Sequence, residues 1–166
     1  MENSIQIATR LREVFFNGEW IANTNYRNLL SKVTWKQAIN KIGSLNTIAA
    51  LTYHLNYYLS GILKVFEGGS LEIRDKYSFD FQPIKSKKDW VNLLNDMWTN
   101  AERLANHIEL MSEEKLEETF VNEKYGNYRR NIEGMIEHSY YHLGQISLII
   151  KMIRESEKEK KAHNTV

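Results

Sequence analysis

His138 and His142 stand four residues apart in the stretch IEGMIEHSYYHLGQISLIIKMI, and a third histidine, His54, lies in SLNTIAALTYHLNYYLSGILKVF. Both stretches are helical in pattern. Side chains four apart share one face of an α-helix, so the pair can close on a single metal ion while the third imidazole arrives from a neighbouring helix. Three protein ligands leave a coordination position for water or substrate, the arrangement of catalytic rather than structural zinc. Imidazole suits zinc, nickel and ferrous iron alike, so the residues do not choose among the three. The segment reads H-S-Y-Y-H and lacks the glutamate of H-E-x-x-H, which sets a zinc-protease mechanism aside.

At ~100° per residue His138 and His142 are about 40° apart on a helical wheel, with Gln145 and Ile149 on the same strip. That strip borders the apolar stripe. The same construction puts His54 beside Tyr58, Leu51 and Val65, again at a border. Tyr58 and Gln145 are therefore candidates to orient a ligand or hold an imidazole. Trp20, Tyr57 and Tyr141 are further candidates for a substrate pocket, against which stands ordinary aromatic packing. Arg129 and Arg130, in VNEKYGNYRRN, have two readings: the mouth of a pocket for an anionic substrate, or a solvated helix start. His107 has no partner at ligand spacing and His163 lies in a polar tail, so both are read as ordinary histidines. The ordinary reading of the other three is a hydrogen bond each at the edge of the core. Two of them at ligand spacing, with a third in a like setting, among only five histidines in the chain, favour a metal. No residue is singled out as a catalytic acid, base or nucleophile.

The elements that must position these side chains are helices. One proline and eight glycines leave few obligatory breaks, and apolar residues recur at spacings of three and four. The first helix is expected from near Ser4, with Ile5, Ala8, Leu11, Val14 and Phe15 inward, until Asn17 and Gly18 interrupt it. After a turn holding Trp20, Asn23 or Thr24 is expected to cap a second piece through Leu29, Leu30 and Val33, which is either a continuation or a separate helix. A second long helix is expected from near Ser44 to Glu67, with Leu45, Ile48, Leu51, Leu55, Ile62 and Phe66 inward and Gly68–Gly69 as its stop. The stretch 70–87 holds the only proline and is read as a long connection with short extended pieces. A third helix is expected from Ser86 to about Leu110, with Asp89 in a capping pair, and a fourth from about Asn127 into the 150s. The last thirteen residues, RESEKEKKAHNTV, are expected to be frayed or disordered. Four amphipathic helices with a long crossover between the second and third predict an all-α, four-helix bundle over residues 1–153, a single domain.

Composition narrows the function classes. With 22 basic and 21 acidic residues the formal charge is +1, and no basic recognition helix is present, so nucleic acid is not an expected partner. The absence of cysteine removes a disulfide framework, thiolate ligands and a cysteine nucleophile. No stretch reaches the ~18 consecutive apolar residues of a membrane span. The start, MENSIQIATRLREVFF, is unlike a signal peptide, and a cytoplasmic protein is expected.

Taken together, a first helix followed by a tryptophan-containing turn, a helix reading NTIAALTYHLNYYL, a long crossover and a last helix with EHSYYHLGQISLI resemble the DinB-like superfamily. The likeness spans most of residues 4 to 153. Its most specific part is H-x-x-x-H-x-G-Q-I at His138, His142, Gly144, Gln145 and Ile146, with His54 upstream. The resemblance implies a divalent metal on His54, His138 and His142, and a function as a metal-dependent transferase using an external low-molecular-weight thiol such as bacillithiol on small electrophiles. It also implies homodimerisation. The alternatives are a non-enzymatic bundle that binds a metal or ligand, and a hydrolase that uses a metal-activated water.

Overall fold

The computed structural model describes residues 2–163. Its elements are α1 (Glu2–Arg12), continued by a π-helical turn (Glu13–Asn17), α2 (Tyr26–Leu30), α3 (Trp35–Ala38), α4 (Ile48–Phe66), α5 (Lys87–Glu109), α6 (Glu113–Glu117) and α7 (Tyr128–His163), with short 3-10 turns at Asp75–Tyr77 and Glu123–Tyr125. The protein is all-α: no strand occurs among the described residues, only an isolated bridge between Thr119 and Asn127. No described helix is long and apolar enough to cross a membrane.

Local chemistry sets most of the boundaries. Thr47 caps α4 by accepting from the Ala50 amide at 3.1 Å, so the helix starts after Ser44 and Leu45; Leu45, expected inward, is exposed. Its other end stops at Glu67, where Gly68 takes φ +86 and frees the chain to turn. Ser86 caps α5 through the Asp89 amide, and the Asp89 carboxylate takes the Lys85 amide at 2.9 Å. Asn127 caps α7 by accepting from Arg130 N at 2.8 Å.

The N-terminal segment departs most from expectation. α1 begins at Glu2, and Ile5 faces solvent while Ser4, Ile7, Ala8 and Leu11 turn inward. Gly18 N bonds to Glu13 O at 2.9 Å, the five-residue step of a π turn, and both Val14 and Phe15 are fully buried there. The second piece is two short helices, not a continuation. Asn25, not Asn23 or Thr24, caps α2, and Thr34 with Gln37 forms a capping box on α3. Tyr26, stacked on Phe15 at 5.1 Å, donates its buried hydroxyl to Ser139 O at 2.6 Å and ties this segment to α7.

Helix α4 packs against α5 and α7, and α1 against α5 and α7. The core between them holds Leu11, Phe15, Leu51, Leu55, Leu59, Met97, Leu104, Ile108, Ile132 and Ile146, all buried. Asn100 donates to Asn56, and Arg103 pairs with Glu67, so residue numbers rise together along α4 and α5 and the two run in the same direction. The connection between them therefore returns along α4. Ile73 lies over Gly61, Asp75 takes the Tyr58 hydroxyl at 2.8 Å, and Phe81 stacks on Tyr53 at 5.0 Å. No extended strand forms in it among the described residues.

The tail expected to be disordered is helical as far as His163. Once a helix is nucleated each further residue adds a backbone bond, and Glu157 with Lys160 and Lys161 has the spacing of favourable surface pairs. Residues 164–166 lie outside the described residues.

Candidate metal centre

The histidines reach one another because two helices present them from opposite sides. On α7 the buried residues Met135, Ile136, Ser139, Leu143 and Ile146 turn one face into the core, and His138 and His142 stand one turn apart on its edge. On α4, Leu51, Leu55, Leu59 and Ile62 do the same and place His54 opposite. Nε2 of His54 and Nε2 of His138 are 3.1 Å apart. One ring nitrogen from each of the three histidines lies within 4.8 Å of the others, as the ligands of one ion require. His54 and His142 are buried, at 7% and 6% exposure, and His138 is half-buried.

Burial also sets the protonation. Desolvation lowers the pKa of all three imidazoles, and for His54 the neighbouring His142 and His138 add to it, bringing it to about 4. Neutral imidazole is the state that binds metal. Gln145 faces His142 with Oε1 2.7 Å from Nδ1; a proton on Nδ1 donated to that oxygen leaves the Nε2 lone pair bare. His54 Nδ1 is buried and meets no hydrogen-bond partner of good geometry, while the Ser78 carbonyl still pulls in favour of a proton on this ring.

The residues fit a divalent ion. With metal–nitrogen bonds of ~2.0–2.1 Å, two tetrahedral ligands stand roughly 3.3 Å apart, close to the separation of His54 and His138. The donor set is three neutral nitrogens with, among the described residues, no carboxylate, which suits zinc, nickel or ferrous iron over calcium or magnesium.

Aromatic residues wall the centre. Phe79 stacks on His54 with centroids 4.3 Å apart, and Tyr58 sets its ring edge-on to His54 at 5.0 Å and to His138 at 5.4 Å. Burial, then the Asp75 carboxylate that accepts its hydroxyl, pushes the Tyr58 phenol up to about 12. Tyr141, though largely exposed, sets its ring edge-on to His142 at 4.9 Å. Tyr58, Gln145 and Tyr141 thus each touch one or more of the three histidines.

Two other candidates do not. Tyr57 exchanges hydrogen bonds with the Arg74 backbone and makes ring contacts with Tyr53 and Tyr58, none with the histidines among the described residues. Trp20 is 93% exposed in the turn after Gly18 and makes no ring contact among the described residues. Full exposure leaves it no wall to share.

Phe79, Asp75 and Ser78 come from a segment without helical periodicity, so nothing in their spacing marked them. The only hint in the sequence is the aromatic density of Tyr77, Phe79 and Phe81 in a connection that otherwise has no core pattern. The ordinary reading of His107 and His163 agrees with their surroundings: a surface contact with Glu67 at 3.7 Å, and a bond from the ring to Glu159 O at 2.9 Å.

An open cleft of about 480 Å³ leads to the centre, with Tyr58, Ile62, Met135 and His138 in its wall. Its size suits a small molecule. Compared with family models, curated proteins and solved structures, the chain finds no match, and a family assignment rests on its own residues.

Proposed function

We propose that the protein is a DinB-like four-helix bundle, acting in the cytoplasm as a metal-dependent transferase that joins a low-molecular-weight thiol such as bacillithiol to a small electrophile. The observation that carries this reading is the convergence of His54, His138 and His142 from two helices within 4.8 Å. The packing of α4 and α1 each against α5 and α7, with a connection that returns along α4, supports this reading of a bundle with a crossover.

A divalent ion on the three imidazoles would hold the thiol as thiolate at neutral pH. The chemistry so supplied would be a nucleophilic sulfur, its proton lost to solvent, that could bond to an electrophilic carbon as the leaving group departs with its electron pair. The chain itself contributes placement. Gln145 fixes the tautomer of His142, Phe79 closes one face of His54 to water, and Asp75 holds Tyr58 beside the two imidazoles it touches. The open cleft at His138 gives the electrophile its approach.

Untagged protein is expected to carry stoichiometric metal, and His54→Ala to lose it, read by elemental analysis. Stoichiometric metal undiminished in His54→Ala removes the assignment. Thiol consumption with a panel of electrophiles and bacillithiol, glutathione or coenzyme A should depend on added metal; a rate indifferent to metal removes the transferase. Homodimerisation belongs to the same reading, and a monomeric elution volume removes it.

A further inference from the structure

The cleft at His138 has a charge of its own. Lys124 and Arg130 line it, and no carboxylate does among the described residues. The two arginines at the start of α7 are not equivalent. Arg129 is held by Glu113 at 3.2 Å and Glu117 at 2.6 Å, with its side chain 24% exposed. Arg130 pairs, among the described residues, with Glu137 alone, at 3.2 Å, and both side chains of that pair are more than 60% exposed, where water and salt weaken it. Lys124 lies over the Tyr125 ring at 4.7 Å and forms no ion pair among the described residues. Between these cations and His138 the wall includes Gly134, where an added Cβ would meet nothing within 4 Å. A helix residue without a side chain leaves room there for a ligand.

We infer that this cleft seats the anionic group of the substrate, a carboxylate or phosphate on a small organic molecule, against Arg130 and Lys124 while its reacting end reaches the histidines. The guanidinium fork and the ammonium supply the charge-assisted donors that such a group needs. The placement of the reacting end rests on the metal-centre reading. The anion site itself does not, because no ligating histidine supplies its charge.

The test is a backbone-amide NMR titration of the metal-free protein with succinate and, separately, inorganic phosphate. Saturable shifts at Lys124, Arg130 and Gly134 are expected, and the anion that produces them names the head group. Loss of the charge-assisted contact in Arg130→Gln should weaken binding roughly tenfold. Glu137→Gln, which removes the competing carboxylate, should tighten it. Gly134→Leu should block it by filling the cleft, with no charge changed and a better helix former in place. Shifts that do not saturate with either anion, or affinities unchanged in all three variants, overturn the inference. Metal content of the same variants separates the two readings: anion binding without metal retention defeats only the metal centre, and metal retention without anion binding defeats only this site.

Discussion

Gln145, three residues on and 2.7 Å away, is placed to orient the His142 ring for a metal. Such an outer partner fixes ring and tautomer, and its loss commonly costs ~10–100-fold in metal affinity. Gln145→Ala is expected to fall in that range, read by competition with a chromophoric chelator; unchanged affinity would show that Gln145 does not position the ring. The depressed imidazole pKa values carry a second expectation. In the unfolded chain these histidines bind protons below about 6.5, whereas folded His54 resists protonation until about 4. The unfolded state therefore binds more protons across that window, and stability rises with pH through it. Thermal unfolding of the metal-free protein should show a midpoint that is level above about 6.5 and falls as pH drops towards 4, with the fall reduced in His54→Gln. A midpoint flat from pH 4 to 7 would contradict the buried, neutral state. At this scale the grouping of the candidate ligands with Gln145 was legible because all but His54 lie within two turns of one helix. Phe79 was not, since its contact with His54 depends on how a connection folds back.

The connection between α4 and α5 is held by a glycine. At Gly61, in the middle of α4, an added Cβ would fall 2.3 Å from Ile73 Cγ2, far inside contact distance. Gly61→Ala gains roughly 1 kcal/mol of helix propensity, but overpacking against a stiff β-branched side chain costs ~1–3 kcal/mol. A net loss of about 1 kcal/mol is expected in chemical denaturation, together with weaker metal binding as Asp75 and Phe79 shift. The double variant Gly61→Ala/Ile73→Ala should recover stability; if Gly61→Ala alone stabilises, the close approach does not control the connection. Helix ends were legible where a side chain caps them, as at Ser86 and Asn127. They were misplaced where several polar residues compete, as Asn23, Thr24 and Asn25 do before α2, because only the chain's path decides which one reaches the open amides.

Across the whole molecule the histidine centre links α4 to α7, but the apolar core already joins them. Ile132, Ile136, Leu143 and Ile146 of α7 are buried in that core. Removing a ligand of the folded state lowers stability by mass action, ~4 kcal/mol when free ligand exceeds Kd a thousandfold, and each kcal/mol moves the midpoint of a domain this size by ~2–4 °C. Chelation is thus expected to lower Tm by on the order of 10 °C while the helical circular-dichroism signal at 25 °C persists. Loss of that signal on chelation would mean a structural metal and favour the non-enzymatic bundle.

The all-α class, the four long helices and the shared face of His138 and His142 follow from sequence alone, because helical period and capping are properties of neighbours within a turn or two. Tertiary structure decided what lies between elements. It brought His54 Nε2 to 3.1 Å from His138, turned Ile5 outward, laid the connection along α4 with Phe79 on the imidazole, and left Trp20 in solvent. It also distinguished Arg129, held by two glutamates, from Arg130 in the cleft. Those outcomes depend on the summed packing of side chains far apart in the chain, and the spacing of residues along one helix carries no information about them.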